Sequence, residues 1–131
     1  MPHSAFNNYF LQAQRIRKLV RCDFDRTFRP CNVLSIHSET NRGGVDVLVH
    51  PLAIRTAPRL NGDSPGLKSN LDSYLQDVLT VPASLAGLPA LSIPVGLGED
   101  GWSVGVSLVG QWGHEKTILN LGKVLGASHL S

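Results

Sequence analysis

Residues 80–96, Thr80-Val-Pro-Ala-Ser-Leu-Ala-Gly-Leu-Pro-Ala-Leu-Ser-Ile-Pro-Val-Gly96, constrain the fold more than any other part of the chain. These 17 residues hold three prolines and two glycines and carry no charge. A loop facing water carries polar side chains, and proline interrupts both helix and strand ladders. The composition therefore predicts a buried path that turns at fixed points. Pro82 suits the first turn of a short helix, where a missing N–H costs nothing. Ala83 to Ala86 complete that helix, and Gly87 stops it in a left-handed cap. Pro89 forces Leu88 into an extended conformation. Residues 90–93 read as a short buried strand that ends at Pro94.

Around this path the apolar period changes along the chain. Phe6, Tyr9, Phe10, Ala13, Ile16, Val20, Phe24 and Phe28 recur at spacings of three and four, which predicts a helix over 6–28. Ser4 or Asn7 caps its start and Pro30 ends it. Its other side carries Arg15, Lys18, Arg21, Arg26 and Arg29. That strip reads either as a solvated face or as a basic binding surface. Residues 37–44 read as a polar surface loop, and 45–49 as a short β-branched strand. Residues 55–71 lack periodicity and read as a long loop that packs against something outside this chain. Asn70 or Asp72 starts a short helix running through Leu79. Gly98-Glu-Asp-Gly101 reads as a hairpin turn, and 104–109 as a strand packed on one face. A last helix opens at Gly113-His-Glu, with Ile118, Leu119, Leu121, Val124 and Leu125 as its apolar side. The expected fold class is α/β, a mixed sheet flanked by helices. No internal repeat, low-complexity tract or domain boundary is visible, so residues 1–131 read as one unit.

These ordered motifs together resemble the amidase signature family, and within it the A subunits of glutamyl-tRNA(Gln) amidotransferases. The run at 80–96 resembles that family's Thr-Val-Pro-Ala-Asn-Leu-Ala-Gly-Leu-Pro-Ala string with its following Pro-x-Gly. Asn8-Tyr9-Phe10-Leu-Gln-Ala-Gln-Arg-Ile-Arg-Lys-Leu-Val20, then Asp23-Phe24, resembles its long basic helix. Gly44-Val-Asp-Val-Leu-Val-His-Pro51 resembles its Val-Asp-Val-Leu-x-x-Pro strand. Gly101-Trp-Ser-Val-Gly-Val-Ser-Leu-Val-Gly110 resembles its Gly-Leu-Pro-x-Gly-x-Gln-Leu-x-Gly hairpin. The resemblance runs from Asn8 to Leu125, with an apparent insertion at 34–44. Several motifs in series are far more specific than any one alone.

The resemblance implies the C-terminal part of the amidase signature fold. The family's serine nucleophile, its cis-peptide serine and its lysine lie in the N-terminal two-thirds, around a Gly/Ser-rich signature. Nothing here resembles that signature. Gly43-Gly44 has no serine beside it, and Lys18, Lys68, Lys116 and Lys123 belong to no such motif. The expectation is a portion without catalytic residues, inactive in isolation. The complete family member releases ammonia from glutamine, and a B subunit uses it to convert Glu-tRNA(Gln) to Gln-tRNA(Gln). The implied partners are glutamine, the B subunit with a small accessory subunit, and indirectly tRNA. No cofactor or metal is implied, and the implied location is the mitochondrial matrix. One substrate-binding residue carries over: Asp77, three before Thr80, matches an aspartate that holds the amino group of glutamine. A carboxylate suits that task through charge-assisted hydrogen bonds to an ammonium. A solvated aspartate at a helix end is the alternative reading of Asp77. Two other functions fit the motifs, a portion of a general amidase and a non-catalytic binding or assembly protein.

Composition narrows the remaining classes. Hydrophobic content of 42% and charged content of 17% belong to a globular chain. A net charge of +2 is too small to imply nucleic-acid binding by itself. No apolar run reaches the ~20 residues of a membrane-spanning helix. The N-terminus reads as neither a secretory signal nor an arginine-rich presequence, the first basic residue after His3 being Arg15. Cys22 and Cys31 have neither metal nor redox spacing and read as structural. His3, His37, His50, His114 and His129 show no zinc-ligand spacing. His50, at a strand end where the family has threonine, faces either the substrate path or a local hydrogen bond. Ser84 sits in no nucleophile elbow and reads as a buried hydrogen-bonding residue. A Ser84–His50–Asp77 triad has no geometric support in the sequence.

Overall fold

The computed structural model describes residues 6–36, 40–57 and 77–128. A π-helical turn, Phe6–Phe10, leads into helix α1, Leu11–Thr27. Strand β1 is Val47–Pro51, helix α2 is Val81–Ala86, strand β2 is Ala90–Leu97, strand β3 is Ser103–Gly110, and helix α3 is Glu115–Ser128. The three strands form one antiparallel sheet in the order β1-β3-β2. The mixed α/β class and the change of period along the chain are therefore as expected.

Helix α1 ends where Pro30 requires it to. Phe28 turns extended, with φ −77° and ψ 141°, while its N–H still donates to the Phe24 carbonyl at 3.0 Å. The extended Phe28 then bridges Val45 in parallel, through Arg29 N–H to Val45 O at 2.8 Å and Val45 N–H to Thr27 O at 3.0 Å. That bridge explains why the strand expected at 45–49 begins two residues later. Val45 pairs with the end of α1, and the ladder to β3 starts at Val47, opposite Gly110. Gly44 makes the close approach possible. A Cβ there would lie 2.6 Å from Arg29 N and 2.7 Å from Phe28 C, both rigid backbone atoms. Gly44→Ala is expected to destabilise the chain by about 1–3 kcal/mol by prying this joint apart. The check is the urea midpoint of unfolding, which an unaffected joint would leave in place.

The second strand departs from expectation at Pro94. Pairing continues through Pro94 opposite Gly105, slips by one residue between Pro94 and Gly96, and resumes to Leu97 opposite Ser103. Proline is tolerated because, among the described residues, β2 lies at a sheet edge, where a missing N–H breaks no ladder. The bulge absorbs the remaining mismatch. The turn at 98–101 is as expected: Gly98 N–H donates to Trp102 O at 2.7 Å, and Gly101 adopts φ +78°.

The sheet has a core on each face. On one, Phe28, Ala83, Ala86, Leu88 and Val109 pack with Val20, Phe24, Leu48 and Trp112, so the end of α1 and the Ala83–Ala86 side of α2 cover it. On the other, Ile93, Leu108 and Ile118 pack with Val47, Leu91, Leu121 and Leu125, under α3. The end of β3 is buried on both sides, which corrects the one-faced strand expected there. Leu119 and Val124 of α3 are exposed, so its apolar side is narrower than the sequence implied. Gly122 lets α3 settle on Leu91 where any Cβ would overlap it.

Candidate functional site

The proline-glycine path forms as its composition requires. Pro82 occupies the first turn of α2. Gly87, at φ +75° and ψ 28°, closes the helix in a left-handed cap, donating to Ser84 O at 3.1 Å while Leu88 N–H donates to Ala83 O at 3.0 Å. This paired bonding satisfies carbonyls that the helix end would otherwise leave open. Just upstream, the Asp77 carbonyl accepts the Thr80 N–H at 3.0 Å and the Thr80 hydroxyl at 3.2 Å. The turn fixes the Asp77 backbone against α2. Its side chain is exposed and has no ion-pair or hydrogen-bond partner among the described residues. Apart from Asp77 itself, the helix expected from 70 or 72 lies outside the described residues as far as 76, and 78–80 form a turn.

Ser84 is exposed on α2, contrary to the expectation of a buried residue. The helix buries Ala83 and Ala86 instead, the two small residues that let it lie close to the sheet. His50 lies at the end of β1, next to its last residue, and its Nδ1–H donates to Pro51 O at 2.8 Å. Among the described residues no hydrogen bond joins Ser84, His50 and Asp77, and no cluster of histidine, cysteine or acidic side chains could hold a metal ion. Cys22 and Cys31 are free thiols.

Register brings together a polar row that sequence reading did not identify. His50 lies opposite Ser107, and Ser107 opposite Ser92, across all three strands. Directly opposed residues share a sheet face, and alternation places this row on the same face as Leu48 and Val109, the face that α2 covers. Ser107 is buried and Ser92 is exposed. The row adjoins a cleft of about 260 Å³ lined by Leu52, Ser92, Pro94 and Gly105. A neighbouring cleft of about 570 Å³ lies between residues 52–57 and 103–105. The sequence carried a partial signal in Ser92 and Ser107, each a polar residue between apolar neighbours of a strand. Only the pairing register shows that the positions align.

A second polar group holds the frame. Asp25 Oδ1 accepts from Asn32 Nδ2 and Gln111 Nε2, each at 2.9 Å. Gln111 Oε1 accepts the Trp112 N–H at 2.9 Å, and Asn32 Oδ1 the Leu34 N–H at 3.0 Å. Asn32 and Gln111 are fully buried, so their hydrogen bonds tie the end of α1 to the exit of β3 without an unpaired amide. The exposed Arg29–Asp46 ion pair, 3.1 Å, adds little by comparison.

An antiparallel sheet between helices, with a capped proline-glycine path laid across it, is the architecture of an amidase-type domain portion. The chain belongs to the amidase family, whose model matches residues 1–119. Among curated proteins it is 47% identical over 125 residues to the A subunit of the mitochondrial glutamyl-tRNA(Gln) amidotransferase of Mycosarcoma maydis, covering 92% of this chain and 23% of that protein. It is 44% identical over 128 residues to the corresponding protein of Tuber melanosporum, covering 95% of this chain and 26% of that protein. The chain thus spans about a quarter of the length of these relatives. Among solved structures, the glutamyl-tRNA(Gln) amidotransferase A subunit from Thermotoga maritima superimposes with a TM-score of 0.62 at 28% identity, over 94% of this chain and 22% of that one. A 6-aminohexanoate cyclic dimer hydrolase superimposes with a TM-score of 0.68 over 98% of this chain and 25% of that one. Its 21% identity speaks to the fold alone.

Proposed function

We propose that this chain forms the C-terminal portion of a glutamine-hydrolysing glutamyl-tRNA(Gln) amidotransferase A subunit. In the complete protein, glutamine releases ammonia, and a B subunit uses it to amidate glutamate on tRNA(Gln), with a small accessory subunit in the complex. The location that fits is the mitochondrial matrix. The observation that carries this reading is the 47% identity to the M. maydis protein, sustained over 92% of the chain. The general-amidase reading has weaker support, since the similar hydrolase matches at only 21% identity.

The part played by this portion is binding and framing. Asp77 receives the ammonium of glutamine, held in place by the Thr80 turn and the capped helix behind it. The nucleophile and the oxyanion donors come from the remainder of the protein. Acyl transfer through a covalent intermediate requires both. The isolated chain is therefore expected to release no ammonia from glutamine above a buffer blank. Release that Ser84→Ala abolishes would place a nucleophile on α2 and overturn the assignment.

The experiment that tests the function is a segment exchange. The matching segment of the M. maydis protein is replaced by this chain, and the chimera is assembled with its partner subunits. Glutamine-dependent formation of Gln-tRNA(Gln) is the expected result. An assembled chimera that uses ammonia but never glutamine would show that this portion does not build a glutamine site.

A further inference from the structure

We propose that Arg17 of α1 is a positioning residue for the glutamine site: it holds the C-terminal end of α2, and through α2 it sets where Asp77 stands. The inference rests on the reading of Asp77 as the residue that receives the ammonium of glutamine. Arg17 Nε donates to the Leu85 carbonyl at 2.8 Å, across 68 residues of sequence. No second hydrogen bond among the described residues joins the two helices. The guanidinium is always charged, so this bond belongs to the charge-assisted kind, the stronger class. Its acceptor is a carbonyl of the last turn of α2, one of the groups that a helix end leaves open. The glycine cap takes up the Ala83 and Ser84 carbonyls, and Arg17 takes up the next in line.

Helix α2 needs such an anchor. It has six residues, about 9 Å of helix, too short to be stable without its contacts. Its buried side chains are Ala83 and Ala86, whose apolar packing is non-directional and leaves rotation and sliding loosely defined. A hydrogen bond is directional, and the one from Arg17 fixes the end that the alanines do not. From there the connection to Asp77 is unbroken. The Ser84 N–H donates to the Thr80 carbonyl at 3.2 Å, and the Thr80 N–H and hydroxyl donate to the Asp77 carbonyl at 3.0 and 3.2 Å. A shift of α2 is therefore carried to the Asp77 backbone. The Asp77 carboxylate is exposed and has no partner among the described residues, so no contact of its own holds it in register with a substrate.

The place of Arg17 on α1 fits this role. It stands three residues before Val20 and seven before Phe24, in line with the residues that α1 sets into the core, and apart from the strip of Arg15 and Lys18. A cation in that line is explained by the carbonyl it meets. Leu85 supplies the acceptor through its backbone, so a substitution at position 85 leaves the bond in place and the test falls on Arg17.

The test uses the assembled chimera with each nitrogen donor. Arg17→Gln is expected to raise KM for glutamine about three- to tenfold, with kcat for glutamine and ammonia-dependent amidation within about twofold of the parent, because a misplaced binding group weakens substrate binding without removing the chemistry. Arg17→Lys keeps a cation but not the planar fork, and should recover part of that loss. Gln14→Ala, exposed and one turn earlier on α1, should change the kinetics with neither donor. The decisive comparison is made in the Asp77→Asn background. There Arg17→Gln should add little further loss, since the group it positions is already impaired. Fully additive losses would mean that Arg17 acts by another route, and would overturn the proposal. Equal losses with glutamine and ammonia would make Arg17 a structural residue and overturn it as well. Unchanged glutamine kinetics in Arg17→Gln, with Asp77→Asn still impaired, would overturn the positioning role and leave the glutamine site standing. Glutamine use that survives Asp77→Asn unchanged would instead remove the glutamine-site reading itself, and the positioning role with it.

Discussion

Asp77→Asn in the active chimera is expected to lower kcat/KM for glutamine about ten- to a hundredfold, with ammonia-dependent amidation nearly unchanged. The substitution keeps volume and shape while removing the charge. What is lost is one charge-assisted hydrogen bond to the substrate ammonium, and bonds to charged groups are the stronger kind. The loss reads directly in kcat/KM as the ratio of variant to parent. Asp77 is well suited to a clean experiment. Its carboxylate is exposed and supports no described contact, while its backbone carbonyl, untouched by the change, does the structural work of holding Thr80. Ammonia bypasses the glutamine site, so comparing the two nitrogen donors separates substrate binding from assembly. Equal losses with both donors would make Asp77 a structural residue and remove it from the site.

Phe28→Ala is the substitution expected to cost the most stability, about 3–5 kcal/mol. Phe28 is fully buried at the junction of three elements. Its ring stacks on Phe24 at 6.1 Å between centroids and packs with Ala83, Ala86, Leu88 and Val109. Its backbone forms the bridge to Val45 that sets where β1 begins. Removing the ring leaves a cavity lined by α1, α2 and the sheet, with only small alanines on the α2 side to collapse into it. Phe28→Leu retains most of the volume and should cost less than about 1.5 kcal/mol. Chemical unfolding of the two variants against the parent is the measurement. Similar small losses for both would mean that the junction repacks freely and that Phe28 does not organise it.

Both predictions bear on elements whose legibility in the sequence differed sharply. The α2 path was readable almost residue by residue, because proline and glycine act through local sterics: Pro82 starts the helix, and Gly87 takes the left-handed cap at φ +75°. The α1 helix and its end were readable for the same reason, from apolar spacing and Pro30. The hairpin at 98–101 was written in Asp100-Gly101. The family was legible in the serial order of these motifs, and the match over residues 1–119 agrees.

The sequence by itself thus determined α1, α2, α3, the hairpin turn and the family, all properties of short stretches or of their order. Tertiary structure decided what depends on neighbours distant in the chain. Pro94 continues a strand because β2 lies at an edge among the described residues, and Val45 leaves its strand because Phe28 claims its backbone. Ser84 faces outward because Ala83 and Ala86 are the residues that fit against the sheet. His50, Ser107 and Ser92 become one row only through strand register, which a period-two pattern leaves undetermined until the strands pair. Asp25, Asn32 and Gln111 lie as much as 86 residues apart, yet share one carboxylate oxygen. Buried amides must find partners wherever the fold places them, and no local pattern specifies where that is.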